Sequence, residues 1–240
     1  MRTKTLLIAA AALAVGIATS MAQTYSQNVV GYYNLNLLTG YNMVSVQFAV
    51  GVSNGASEIF PNIPDGTALL TWDPIGVQYV YNYYDTGGGS SAPAASWYMA
   101  DYNTLTNQPV LKTGQACFLL LPSPVTNTVV GAVLNTNTDN LIAGYNMVAS
   151  SLPLGGATTN NLFNMASLPD GTALLTWNQS AVQYVYNYYD TGGGSSTPAN
   201  SWYMADYNTL TNAPIFSVGQ GMLFLTPSTW AWTQTYTNTP

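Results

Sequence analysis

Histidine is absent from this chain, and basic side chains nearly so: Arg2, Lys4 and Lys112 stand against Glu58 and eight aspartates. Without imidazole there is no His-based triad, and most catalytic zinc, copper and non-haem iron sites lose their usual ligand. So few cations cannot neutralise a phosphate backbone, which excludes nucleic acid as a partner and disfavours anionic lipid. Cys117 is the single cysteine, so no internal disulfide and no CxxC pair exist. Its expected role is that of a small buried hydrophobe, with an intermolecular disulfide as the alternative, and Met222 takes its place in the second half. Charged residues make up only 5% of the chain, yet 48% is hydrophobic, which is not the composition of a disordered protein. Polarity comes instead from Asn, Thr, Ser, Gln and Tyr. Such a surface suits a protein outside the cell, in contact with polar polymers or with copies of itself.

The opening MRTKTLLIAAAALAVGIATSMA has two positive charges, an apolar stretch and a small-x-small end. That is the layout of a secretory signal peptide over residues 1–22, and implies export, with the periplasm, cell surface and medium all open as destinations. No later segment reaches the roughly 18 apolar residues of a transmembrane helix.

The rest of the chain is a tandem duplication. Residues 64–109 align with 169–214 at a constant offset of 105, and VQYVYNYYDTGGGSS recurs letter for letter at 77–91 and 182–196. GYNMV at Gly40 returns at Gly144, and the Gly114-Gln115 turn returns at Gly219-Gln220. The division expected is repeat unit 1 over 23–126 and repeat unit 2 over 127–240. NVVGYYNLNL, NTVVGAVLNTN and TWAWTQTYTN read as three related edge segments around two cores.

Each core reads as β structure. In 77–85, Val77, Tyr79, Tyr81 and Tyr83 share one face, and Gln78, Val80, Asn82 and Tyr84 the other, the period-2 signature of a strand. Residues 41–48, 67–72, 97–102 and 116–121 are further strands, while 56–60 and 161–165 read as short helical turns. The fold class expected is all-β: two tandem, near-identical β-sandwich or small β-barrel units, each with five to seven short strands and one helical turn.

The order GYNMV, short helix, PDGTALLTW, aromatic strand, Trp, then G-Q-x-x-[FL] resembles a repeat in uncharacterised secreted bacterial proteins, whose mature parts open with a variant of NVVGYYN, as at Asn28 here. The resemblance spans nearly the whole mature chain and implies export and a β-repeat fold. It carries no activity, cofactor or site residue to transfer. Cys117 and Met222 stand where those proteins commonly have an aromatic.

No catalytic constellation is visible, and an enzyme is the last reading. Glycoside hydrolysis needs two carboxylates, and the duplicated pairs on offer are Asp85 with Asp101 and Asp190 with Asp206; nothing in the sequence sets their acidities apart. The same four aspartates are weak calcium candidates, since calcium takes oxygen ligands; no other cofactor is implied. DTGGGSS lacks the lysine of a phosphate-binding P-loop and reads as a flexible connection. The tyrosines are the strongest feature. Tyr79, Tyr81 and Tyr83, with Tyr184, Tyr186 and Tyr188, form two ladders near Trp97 and Trp202. If buried, the ladders are core; if exposed, they are platforms for sugar rings or another subunit. Two functions are open: a structural or surface-associated protein acting through self-association or contacts with other surface proteins, one route being donation of residues 28–37 to a neighbour, or a bivalent glycan-binding module.

Overall fold

A computed structural model describes residues 29–87, 93–160, 163–192 and 198–236. The signal-peptide segment and most of each DTGGGSS loop lie outside these residues. Among the described residues the regular structure is almost all strand, in two repeated units. In the first are β1 (Val30–Leu37), β2 (Gly40–Ser45), α1 (Ala56–Ile59), β3 (Ala68–Asp73), β4 (Gln78–Asp85), β5 (Ser96–Tyr98), β6 (Leu105–Thr106), β7 (Ala116–Leu121) and β8 (Val125–Ala132). The second has β9 (Thr136–Leu141), β10 (Gly144–Val148), β11 (Gly156–Ala157), β12 (Ala173–Asn178), β13 (Gln183–Asp190), β14 (Ser201–Tyr203), β15 (Leu210–Thr211), β16 (Ile215–Phe216), β17 (Met222–Thr226) and β18 (Trp230–Thr235).

Each unit is a sandwich of unequal layers. A six-stranded antiparallel sheet runs in the order β2-β7-β3-β4-β5-β6, and its counterpart is β10-β17-β12-β13-β14-β15. One face of the first sheet is covered by the β1–β8 ribbon and α1: Tyr33, Leu35 and Val129 pack with Ile59, Leu69, Trp97, Cys117 and Leu119. Alternation makes this possible, since β1 buries Tyr33, Leu35 and Leu37 and turns Tyr32, Asn34 and Asn36 outward. The β9–β18 ribbon covers the second sheet in the same way, with Trp230 and Trp232 in its core.

The repeated motifs are turn closers. In GYNMV, Gly40 takes φ +90°, which glycine adopts without steric cost. Buried Asn42 then closes the β1–β2 corner, donating from Nδ2 to the carbonyls of Leu38 (2.7 Å) and Gly40 (2.9 Å) and accepting the Leu38 N–H (2.9 Å). Asn146 repeats this on Ile142 and Gly144. In the G-Q motif, the Gln115 side chain accepts the Lys112 N–H at 2.9 Å, and Gln220 accepts that of Ser217 at 2.9 Å.

Strand pairing moves the unit boundary. The expected division after residue 126 falls inside β8, which pairs with β1 from Val30↔Ala132 to Leu37↔Val125. The change of unit therefore lies between Ala132 and Thr136. The edge segments number four, not three: β1 corresponds to β9 and β8 to β18, each pair closing within its own unit. The similarity of VVG at 29–31 and 129–131 suggests an equivalence that pairing overrules. Strand 97–102 is also shorter than expected, because the chain turns at Asp101. The helical turn at 56–60 is α1, whereas its counterpart 161–165 falls partly outside the described residues.

Candidate functional site

The free faces of the two sheets meet each other. Met43, Leu70 and Phe118 of the first unit pack against Met147, Leu175 and Leu223 of the second, rimmed by tyrosines and tryptophans from both. The contacts come in matched pairs, as an approximate twofold relation between near-identical units requires. Trp72 Nε1 donates to the Tyr145 carbonyl at 2.7 Å, and Trp177 Nε1 to that of Tyr41 at 3.0 Å. Ser45 N–H meets the Gly219 carbonyl at 2.9 Å, and Ala149 N–H that of Gly114 at 2.8 Å. Tyr79 and Tyr184, equivalent residues, hydrogen-bond hydroxyl to hydroxyl at 2.9 Å, and burial raises the pKa of each above the ordinary phenol value.

This divides the expected tyrosine ladders in two. Tyr79 and Tyr184 are fasteners of the seam, half-buried and tied to each other through their hydroxyls. Farther along the same strands the sheets leave the rings half-open: Tyr81 lies 6.4 Å from Tyr83 with planes 21° apart, and Tyr186 lies 6.2 Å from Tyr188 at 20°. Each short stack is capped by a tyrosine from the turn that ends the neighbouring strand. Tyr102 sits 3.7 Å from Tyr83, and Tyr207 3.8 Å from Tyr188, ring centre to ring centre. Both caps are 62% exposed.

The caps are held there by a local device. Asp101 accepts the N–H groups of Asn103 (3.0 Å) and Thr104 (2.8 Å) and the Thr104 hydroxyl (2.5 Å); Asp206 does the same with Asn208 and Thr209. These bonds keep both carboxylates below the usual range, the Thr hydroxyl contributing most. The turn forces Tyr102 and Tyr207 to φ +59°, a left-handed conformation that a bulky residue rarely adopts and that surrounding structure must over-determine. The Tyr83 hydroxyl is pushed up to about 12, first by its hydrogen bond with Tyr102 and then by burial. Tyr188 is likewise raised to about 12, burial leading.

The other candidates belong elsewhere. Trp97 and Trp202 are 3% and 5% exposed, so neither is a stacking surface; each is packed beneath the sheet against Tyr84 or Tyr189, and Trp97 Nε1 donates to Ser57 Oγ at 3.0 Å. Asp85 caps the Gly87 N–H at 2.6 Å and lies beside Asp65, which holds Thr86; Asp190 caps Gly192 the same way. The calcium candidates Asp85, Asp101, Asp190 and Asp206 are thus turn-forming residues, and among the described residues no group of three acidic or cysteine side chains converges on a metal position. Cys117 is fully buried, and burial pushes its thiol well above the ordinary value, which closes the route to an intermolecular disulfide in the folded chain.

Beyond the second stack lies a hollow of about 280 Å³, bordered by Asp170, Asp190, Tyr188, Tyr203 and Tyr207. Tyr203 is 4% exposed, and its hydroxyl has no hydrogen-bond partner among the described residues. Among the described residues no helix is long and apolar enough to cross a membrane. No protein family, curated protein or solved structure matches this chain.

Proposed function

We propose that this is a secreted, non-catalytic bacterial β-repeat protein that binds polysaccharide through two equivalent tyrosine stacks, Tyr81–Tyr83–Tyr102 and Tyr186–Tyr188–Tyr207. The observation that carries the reading is the capping tyrosine: in both units a strained turn fixes an exposed ring on the end of a half-open stack. A rigid aromatic face loses little conformational entropy on binding and presents the apolar surface on which sugar rings lie, with phenol hydroxyls at its rim. Two such faces on one rigid body raise avidity on a repetitive polymer without any new contact. Export is supported by the leading segment of the sequence.

The test is a depletion assay of the chain on insoluble cellulose, xylan and chitin. Replacing both caps, Tyr102→Ala with Tyr207→Ala, is expected to lower retention roughly tenfold or more, the loss of about 1.4 kcal/mol. Retention equal to that of the unaltered chain on every polymer would dismiss the proposal.

A second reading, assembly with copies of itself or with other surface proteins, draws on Val30, Tyr32 and Val130, an exposed apolar patch on the outer face of the β1–β8 ribbon. The second ribbon carries a Thr138–Thr233 hydrogen bond on its outer face. Because β1 is paired along its length within its own chain, assembly would use this patch rather than a donated strand. Light scattering across concentration, with Tyr32→Ser as the control, separates the two readings.

A further inference from the structure

We infer that the hollow beside Tyr207 is a subsite for one ring of an uncharged sugar, and that it rejects uronic acids. The inference rests on the polysaccharide reading above and gives it a chemistry. Its volume of about 280 Å³ is small for a drug-sized ligand and matched to a single pyranose. Tyr188 and Tyr207 supply an aromatic wall on which the apolar face of such a ring packs.

The polar groups define the rest. A buried hydroxyl without a partner is costly, and a native structure with one invites a ligand or ordered water there. The Tyr203 ring borders the hollow, and its enclosed hydroxyl has no partner among the described residues. Asp170 adds an anionic acceptor: its carboxylate takes the Thr191 N–H at 2.7 Å and the Thr191 hydroxyl at 2.9 Å, and these bonds hold it below the usual carboxylate range. It therefore stays an anion through mildly acidic conditions. Sugar hydroxyls are donors as well as acceptors, so they answer both groups. A sugar carboxylate meets the Asp170 anion with no basic side chain of the second unit to offset it. The same residue types, Asp65, Asp85, Tyr83, Tyr98 and Tyr102, stand at the equivalent positions of the first unit.

Titration calorimetry on the full chain tests this with neutral hexasaccharides (cello-, xylo-, manno- and chitohexaose) against hexagalacturonate. At least one neutral probe is expected to bind with about two sites per chain, and hexagalacturonate to give no heat. Tyr207→Ala is expected to reduce the stoichiometry to one. Tyr203→Phe removes a single unpaired hydroxyl; it is expected to weaken the second site about three- to tenfold while leaving the melting temperature unchanged or slightly raised. Equal affinity and stoichiometry in both variants, or binding of hexagalacturonate as tight as the neutral probes, would overturn the subsite and leave the depletion result standing. If no probe binds and no insoluble polymer depletes the chain, both readings fall.

Discussion

Outside β7 and β17 the two units share their six-stranded sheets almost residue for residue, yet their outer cores solve one problem with different side chains. At the end of α1 the Ile59 carbonyl is buried, and Asn127 on β8 donates to it from Nδ2 at 2.8 Å. In the second unit the donor at the equivalent place is Trp232 on β18, whose Nε1 reaches the Phe163 carbonyl at 2.6 Å. Nearby, Val46 and Val129 of the first unit give way to Ser150 and Gln234 of the second. Gln234 accepts the Ser151 N–H at 2.7 Å and donates to Ser150 Oγ at 3.1 Å, a closed polar network where the first unit is apolar. A buried carbonyl needs a donor, and a core needs filled volume, but neither dictates which residue supplies it.

Removing the bulkiest element of this contrast has the largest expected effect. Trp232→Ala opens a cavity and orphans the Phe163 carbonyl, for a loss of about 3–5 kcal/mol in denaturant unfolding. Asn127→Ala deletes less volume and also removes an Oδ1 that has no partner among the described residues, so it should cost clearly less. Equal losses would mean that the two outer cores are energetically alike despite their composition.

The seam itself is broken unequally by charge. Leu35 of β1 lies against the Gly219 turn, and the residue of β9 lying against the equivalent Gly114 turn is Asp139. Desolvation raises the Asp139 carboxyl to about 6, against the opposing pull of the Asn137 side chain and of Lys112. A carboxyl whose folded value exceeds its unfolded value holds its proton longer in the folded state. Stability should therefore fall as pH rises from about 4 to about 6 and then level off. Asp139→Leu, which copies the first unit, is expected to remove that slope and to add about 1–2 kcal/mol at pH 8 after allowance for residual exposure. A slope that survives the substitution would assign it to another group.

The smallest effect is expected at the seam's centre. Tyr79→Phe and Tyr184→Phe each delete one side of a single hydroxyl pair, and each should cost about 1 kcal/mol, with the double variant costing little more than either. Additive losses would mean that the two hydroxyls do not act as a pair.

Much of the fold is legible in the sequence. Period-2 alternation in 77–85 marks β4 and its repeat almost residue for residue, and the 105-residue offset discloses two units. The alternation marks a face without saying what covers it, so it cannot divide Tyr79, hydrogen-bonded across the seam, from Tyr81 and Tyr83 in the half-open stack. Trp97 and Trp202 read as surface platforms because proximity in sequence to the ladder says nothing of the opposite side of the sheet. Tyr102 and Tyr207 escape a sequence reading since no propensity favours a tyrosine at positive φ. A signal is nevertheless present in Asp-Tyr-Asn-Thr, where an aspartate two and three residues ahead of open N–H groups announces a turn.

Mass-spectrometric mapping of tyrosine nitration, with and without a bound neutral hexasaccharide, tests the division of the tyrosine strand most directly. Within the two stacks and the seam, Tyr102 and Tyr207 should react fastest, Tyr81, Tyr83, Tyr186 and Tyr188 more slowly, and Tyr79 and Tyr184 least, with the saccharide protecting the caps and leaving the seam unchanged. Modification of Tyr79 and Tyr184 as fast as that of Tyr102 and Tyr207 would contradict a seam fastened by the same strands that carry the open stacks.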